Sequence, residues 1–253
     1  MTATIPVGTS PQGVAILSRT GRAVITNFSS NNASLLDLAT NTVTSTVTTG
    51  TGPLGVAINP NDGQAYVANT AANTLSIFPA DTGGTPNTTT VDQRPTAIAI
   101  DPVRNQALVT HTTQNSIVLL ALPGGSLINR VTGFQLPNAV TFDPDSDRYL
   151  VAAALSNNMF LVNPVNLGST SVRLGINPTS LAHNRHSSTV VSTNNASNTM
   201  SVVEYRSPTN VRVREVLSVM ASPTFAVEIH PRTNVAIVVD QNNNRVLLIP
   251  LPR

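Results

Sequence analysis

The chain has 253 residues, 40% of them hydrophobic and only 10% charged, with a net charge of +2 and no cysteine. Disulfides and thiolate chemistry are therefore excluded, and so small a charge argues against nucleic acid or an anionic membrane as partner, despite a pI of 9.7. No stretch approaches the ~18 apolar residues of a bilayer span, and Met1 to Val7 lacks the basic and apolar regions of a signal peptide.

Taken in chain order, the first candidate element is a short strand over residues 3–7. Pro11 then opens a pattern that recurs at Pro53, Pro95, Pro137, Pro178 and Pro223, at spacings of 42, 42, 42, 41 and 45 residues. A period in this range marks a repeat architecture. The second repeat shows the unit most clearly. Gly55 to Ile58 is a short apolar run, and Asn59-Pro60-Asn61-Asp62-Gly63 is a turn by composition. Ala65 to Ala68 is a second strand, Thr74 to Phe78 a third with period-two alternation, and Thr88 to Val91 a Thr-rich fourth.

The other repeats fit this frame. First strands are expected at Gly13–Ile16, Ala97–Ile100, Ala139–Phe142, Ser180–Ala182 and Phe225–Ile229. Second strands are expected at Ala23–Thr26, Ala107–Thr110, Tyr149–Ala152, Thr189–Thr193 and Ala236–Val239. Twenty or so places after each proline stands an asparagine (Asn31, Asn73, Asn115, Asn157, Asn198, Asn243), the residue type that tolerates φ > 0 and bonds its own backbone in turns. No segment carries a sustained helical period.

Four short antiparallel strands in about 42 residues are the signature of a propeller blade. The sequence thus predicts an all-β fold: a single domain over 1–253, a six-bladed β-propeller with repeats at 8–49, 50–91, 92–133, 134–174, 175–219 and 220–253. The sixth repeat supplies only three strands, the last at Val246 to Ile249. The strand at 3–7 is expected to pair with it as the missing fourth and so close a ring.

Two stretches carry a resemblance. Val7-Gly8-(x2)-Pro11-(x)-Gly13-Val14-Ala15 and Ala65-Tyr66-Val67-Ala68-Asn69 resemble the YVTN-type β-propeller repeats. The namesake stretch stands here as Val24-Ile25-Thr26-Asn27, Tyr66-Val67-Ala68-Asn69 and Val191-Ser192-Thr193-Asn194, while the third repeat has Leu108-Val109-Thr110-His111 and repeats four and six depart further. The resemblance implies a propeller of bacterial or archaeal cell-surface, secreted or periplasmic proteins, and says little about activity.

Candidate chemistry lies where the chain breaks its own pattern. Gly50-Thr51-Gly52-Pro53-Leu54-Gly55 matches the dinucleotide fingerprint, but a β-type run follows where a helix N-terminus is required, so the match is discounted. Sixteen residues after the proline the repeats hold Asn27, Asn69, His111, Ala153 and Asn194, with Asp240 in the sixth if one residue is inserted. These, with the residue before each proline, are expected to open on one face around the channel mouth. Arg94 and His111 share a repeat and can converge on an acidic or carbonyl-bearing ligand, the arginine lowering the imidazole pKa; drift in a slot that needs only a polar group is the plainer reading. His183, His186 and His230 form a weaker alternative, a transition-metal site with Glu228 as oxygen donor, set against exposed turn histidines. Asp143-Pro144-Asp145-Ser146-Asp147 reads as an Asp-Pro turn before a weak calcium site. Arg212 and Arg214 alternate with valine, as on an exposed edge strand. No nucleophile elbow accompanies the abundant serines.

The sequence thus points to a non-catalytic, monomeric propeller without a cofactor, presenting a loop face (Arg94, His111, Asn27, Asn69, Asn194, Asp240) to a protein or small-molecule ligand. The alternative is an enzyme at the channel mouth, by analogy with six-bladed lactonases of the gluconolactonase type that hold calcium with acidic and amide side chains.

Overall fold

The computed structural model describes residues 4–184, 186–207, 210–219, 226–240, 243 and 245–251. The chain divides into two compact units, Met1–Arg130 and Val131–Arg253, each built of three consecutive antiparallel sheets. Unit 1 holds blade 1, with β1 (Pro11–Leu17), β2 (Arg22–Asn27), β3 (Asn32–Asp37) and β4 (Thr42–Thr48). Blade 2 follows with β5 (Pro53–Ile58), β6 (Gln64–Asn69), β7 (Thr74–Pro79) and β8 (Asn87–Thr90). Blade 3 has β9 (Pro95–Asp101), β10 (Gln106–His111), β11 (Ser116–Ala121) and β12 (Ser126–Thr132), the unit boundary falling within β12.

Unit 2 begins with blade 4: β13 (Pro137–Asp143), β14 (Arg148–Ala153), β15 (Asn158–Val162) and β16 (Ser169–Arg173). Blade 5 has β17 (Pro178–Asn184), β18 (Thr189–Asn194), β19 (Thr199–Ser207) and β20 (Asn210–Ser218); blade 6 has β21 (Val227–His230), β22 (Val235–Asp240) and β23 (Arg245–Pro250). Within every sheet the strands pair in sequence order, as consecutive hairpins. Among the described residues helix is limited to 3-10 geometry, in the turn Asn195–Ser197 and at Asn243. The architecture is an all-β six-bladed β-propeller. Each expected first and second strand in blades 1 to 5 lies inside an observed one. In blade 6 the first strand starts at Val227, and Ser222, Pro223 and Phe225 lie outside the described residues.

One expected element is corrected. Residues 4–7 form no strand, and the sixth sheet has three strands among the described residues. Pro6 has no N–H to give to a ladder, which removes one of the few donors so short a strand could offer its single partner. Pro6, Val7 and Gly8 instead line a pocket of about 260 Å³ with Asn32 and Ser34 of β3 and Val43 and Thr46 of β4.

The period-two alternation explains the packing. In unit 1, Ala65, Val67 and Phe78 of blade 2 face Val24 and Leu35 of blade 1, while Tyr66, Ala68, Leu75 and Ile77 face Ile98, Val109 and Val118 of blade 3. Strands β6 and β7 are therefore buried on both faces and read as nearly continuous apolar runs. Unit 2 repeats the arrangement. Leu150, Met159 and Leu161 of blade 4 meet Val190 and Val203 of blade 5, whose Val191, Met200 and Val202 meet Ile229, Ala236 and Val238 of blade 6.

The proline register has a backbone cause. Pro11, Pro53, Pro95, Pro137 and Pro178 each begin the first strand of a blade. The residue before each (Ser10, Gly52, Arg94, Leu136, Asn177) takes a left-handed φ between 52° and 66°, which kinks the chain into the blade. Asn31, Asn73, Asn115, Asn157 and Asn198 are also left-handed, at the turn between the second and third strands. Their amides do more than serve their own turn. Asn31 Oδ1 accepts from Gly52 N–H at 3.0 Å and Asn73 Oδ1 from Arg94 N–H at 2.9 Å. In unit 2, Asn157 Oδ1 accepts from Asn177 N–H at 2.8 Å. The recurring asparagine is a latch that pins the entry of the next blade.

Candidate functional site: a groove on the loop face of blades 1 to 3

The position sixteen residues after the proline ends the second strand, and its side chain points inward. Asn27, Asn69, His111, Ala153, Asn194 and Asp240 are all 0% exposed. In blade 2, Asn69 Nδ2 donates to Thr74 Oγ1 at 3.0 Å and Ser76 Oγ at 2.9 Å; Asn194 does the same with Thr199 and Ser201, and Asn27 with Asn32 Oδ1 and Ser34. These three amides tie the second strand to the third and do not present themselves to a ligand. Each lies flat under a glycine three residues before the proline: a Cβ on Gly8, Gly50 or Gly175 would fall 2.5 to 2.8 Å from the amide. Asp240, in blade 6, accepts from Asn243 Nδ2 and from Arg245 Nε at 2.7 Å. Those bonds, Asn243 foremost, hold its carboxyl below the usual carboxylate range.

Blade 3 departs from this pattern as a set. The glycine is replaced by Asp92, the asparagine by His111 and the serine by Val118. His111 Nδ1 lies 3.2 Å from the Gln93 carbonyl; because a carbonyl only accepts, Nδ1 carries the proton. Nε2 is then a buried lone pair with no partner, as are Asp92 Oδ2 and the hydroxyl of Ser116, which faces His111 in the β10–β11 register. Burial is the main cause pushing the His111 pKa down, against the opposing pull of the Gln93 bond and of Asp92; the arginine that adds to the downward shift is Arg130, not Arg94. Arg130 of β12 pairs with Asp92 Oδ1.

Above this buried set, the loops of three blades form a groove of about 350 Å³. Its lining is Phe28 from blade 1, Thr70, Ala71 and Asn73 from blade 2, and Gln93 and Arg94 from blade 3. Phe28 directly follows the buried Asn27 and is 38% exposed. Gly52, left-handed at φ 66°, carries no side chain between Phe28 and Ala71; a Cβ there would lie 3.2 Å from the Phe28 ring and 3.3 Å from Ala71 Cβ. Thr70 Oγ1 donates to the Pro95 carbonyl at 2.6 Å and ties blade 2 to the start of β9. The Arg94 guanidinium is exposed and has no hydrogen-bond or ion-pair partner among the described residues.

Of the residues expected at the loop face, then, Arg94 lines the groove and His111 lies beneath it, joined through the Gln93 backbone. Asn27 and Asn69 underlie its other walls as strand ties, and Asn194 and Asp240 belong to unit 2. Because His111 is fully buried, it positions the 92–94 loop and does not reach a ligand as acid or base. Sequence reasoning missed Asp92, although the same register shows it standing where Gly8, Gly50 and Gly175 stand. It also missed Phe28, Gln93 and the groove itself, which needs three blades to assemble.

The histidines proposed as a metal set occupy different settings. His183 Nε2 lies 3.5 Å from Asp143 Oδ1, both largely buried. His186 is exposed, and His230 Nδ1 accepts from Thr233. Among the described residues no group of three or more His, Cys, Asp or Glu side chains is placed to hold a metal ion. Asp143 Oδ1 also accepts from Asp145 N–H at 3.0 Å, closing the Asp-Pro turn. Arg212 pairs with Glu204 at 2.7 Å, so the β20 edge charge is met within its own sheet. The glycine-rich match at Gly50 to Gly55 runs into β5, not a helix.

No protein-family model matches the chain, and no curated protein matches it in sequence. Among solved structures, the chain is similar in fold to a chain of hydrazine synthase from Kuenenia stuttgartiensis, with a TM-score of 0.64 over 99% of this chain and 98% of that one, at 13% identity. Likeness at that identity belongs to the fold alone, and a fold hosts many functions.

Proposed function

We propose that this chain is a non-catalytic binding or scaffolding domain that holds a small-molecule or protein ligand on the loop face of blades 1 to 3. The observation that carries the reading is the Phe28–Arg94 groove, whose polar side chains are uncharged or cationic and whose one cation has no partner among the described residues. A carboxylate or an accessible histidine, the usual equipment for acid–base work, does not line it. The YVTN-type resemblance of the repeats carries the accompanying proposal of a bacterial protein in a cell-surface, extracellular or periplasmic setting, and a monomer is proposed with it.

The test is amide chemical-shift mapping of the full chain against a mixture of small charged and neutral fragments. Shifts gathering at residues 28, 70–73 and 92–94 support the groove as the binding site. Shifts confined to other blades, or none at all, contradict it.

A further inference from the structure

Resting on that reading, we infer that the groove takes an oxyanion borne on a small planar apolar group, the anion meeting Arg94 and the planar body lying against Phe28. The first support is the set of free donors. Arg94 offers five N–H groups in a fork that matches carboxylate and phosphate oxygens. Asn73 has its Oδ1 committed to the Arg94 N–H, which leaves its Nδ2, without a partner among the described residues, as a donor on the same wall. Gln93 adds an exposed amide. Asp92, the nearest carboxylate in sequence, is taken up by Arg130 and is not part of the lining. The groove is therefore donor-rich and positive, and charge complementarity selects an anion.

The second support is how firmly the cation is held. Arg94 sits at φ 52°, a left-handed conformation that non-glycine residues adopt only where their surroundings hold it. Three contacts fix its loop: Arg130 on Asp92, His111 on the Gln93 carbonyl, and Asn73 on the Arg94 N–H. A donor carried on a loop fixed at three successive residues loses little backbone freedom on binding. The third support is the apolar wall. Gly52 lacks the side chain that would separate Phe28 from Ala71, so the ring edge and the Ala71 methyl form one surface. A volume of about 350 Å³ lies at the small end of ligand sites, enough for one ring and its anionic substituent.

The experiment titrates the folded chain with benzoate, phenyl phosphate and the neutral isostere benzamide, following the same amide shifts. The wild type is expected to bind both anions in the groove at least about tenfold more tightly than benzamide, less tightly as ionic strength rises. Arg94→Asn keeps a residue suited to the left-handed position, and Arg94→Gln keeps a longer stem with a neutral amide in place of the guanidinium; each is expected to abolish the anion preference while far-UV circular dichroism stays unchanged. The ratio of benzoate to phenyl phosphate affinity identifies which oxyanion the fork prefers. If benzamide binds in the groove as well as the anions, or both variants keep the preference, the oxyanion inference is overturned while the groove reading stands. If no probe shifts residues 28, 70–73 or 92–94, both fall.

Discussion

In blade 3 the position sixteen residues after the proline holds His111 beside Asp92, whereas in blade 4 the same position holds Ala153, with Phe134 three residues before the proline and Phe160 on the third strand. Blade 4 has exchanged the glycine, amide and serine of the tie in blades 1, 2 and 5 for Phe134, Ala153 and Phe160, and the two rings meet edge to face with centroids 4.8 Å apart. Blade 3 has exchanged the same tie for ionisable groups: among the described residues His111 Nε2, Asp92 Oδ2 and Ser116 Oγ are buried without partners, where each tie of blades 1, 2 and 5 leaves one amide Oδ1 unpaired. One substitution set closes the site with packing. The other fixes a loop that presents a free cation. Departures from a repeat are thus of two kinds, and only the second marks a place to look for binding.

The comparison breaks most visibly if the blade 4 solution is disturbed. Ala153→Asn puts an amide at a fully buried position without the hydroxyl acceptor that Ser76 or Ser201 provides, and is expected to cost about 3 kcal/mol in urea unfolding. A loss below about 1 kcal/mol would mean that the position tolerates either chemistry. In blade 2, Gly50→Ala places a methyl 2.8 Å from the Asn69 amide, which its two hydrogen bonds hold in place; about 2 kcal/mol is expected. Combining it with Asn69→Ala should show a coupling of about 1 kcal/mol or more, whereas simple additivity would deny that the glycine exists to admit the amide.

For blade 3 the contrast is sharpened by pH. Burial depresses the His111 pKa in the folded chain, so the unfolded chain takes up the proton first, near its ordinary value of about 6.5. This contribution to stability is complete above that pH and is lost as pH falls below it, until the folded site protonates too. Unfolding free energies at pH 7.5 and 5.5 should therefore fall more steeply for the wild type than for His111→Asn. Equal slopes would remove His111 from the account. The smallest effect is expected from Asp92→Asn: Arg130 is half exposed, and loss of such a pair changes stability by at most about 1 kcal/mol.

Local grammar was legible in the sequence because its causes are local. Proline, asparagine and period-two alternation place strands and left-handed turns one repeat at a time, and the observed strands follow them. What those turns touch was not legible. The asparagines were read as serving their own backbone, yet Asn31, Asn73 and Asn157 hold the next blade's entry, a contact made across some twenty residues. The slot residues were read as facing a ligand because strand ends lie near loops; their burial follows from neighbouring glycines that let the amides lie flat beneath the chain. The fourth strand expected at residues 3–7 rested on counting strands, and Pro6 outweighs the count. Arg94 was legible as an outlier, but Phe28 was not, since an aromatic residue after a strand has no meaning until Gly52 and Ala71 are placed beside it.

Blade 3's ionisable departure is proposed to build a binding site, and blade 4's apolar one is not. A benzoate titration followed at every assigned amide compares the two loop faces within one sample. Saturating shifts are expected at Phe28, Thr70, Asn73, Gln93 and Arg94, with none at Gln135 and Leu136, the blade 4 counterparts of Gln93 and Arg94. Shifts at the second set alone, or of equal size and midpoint in both, would contradict that proposal.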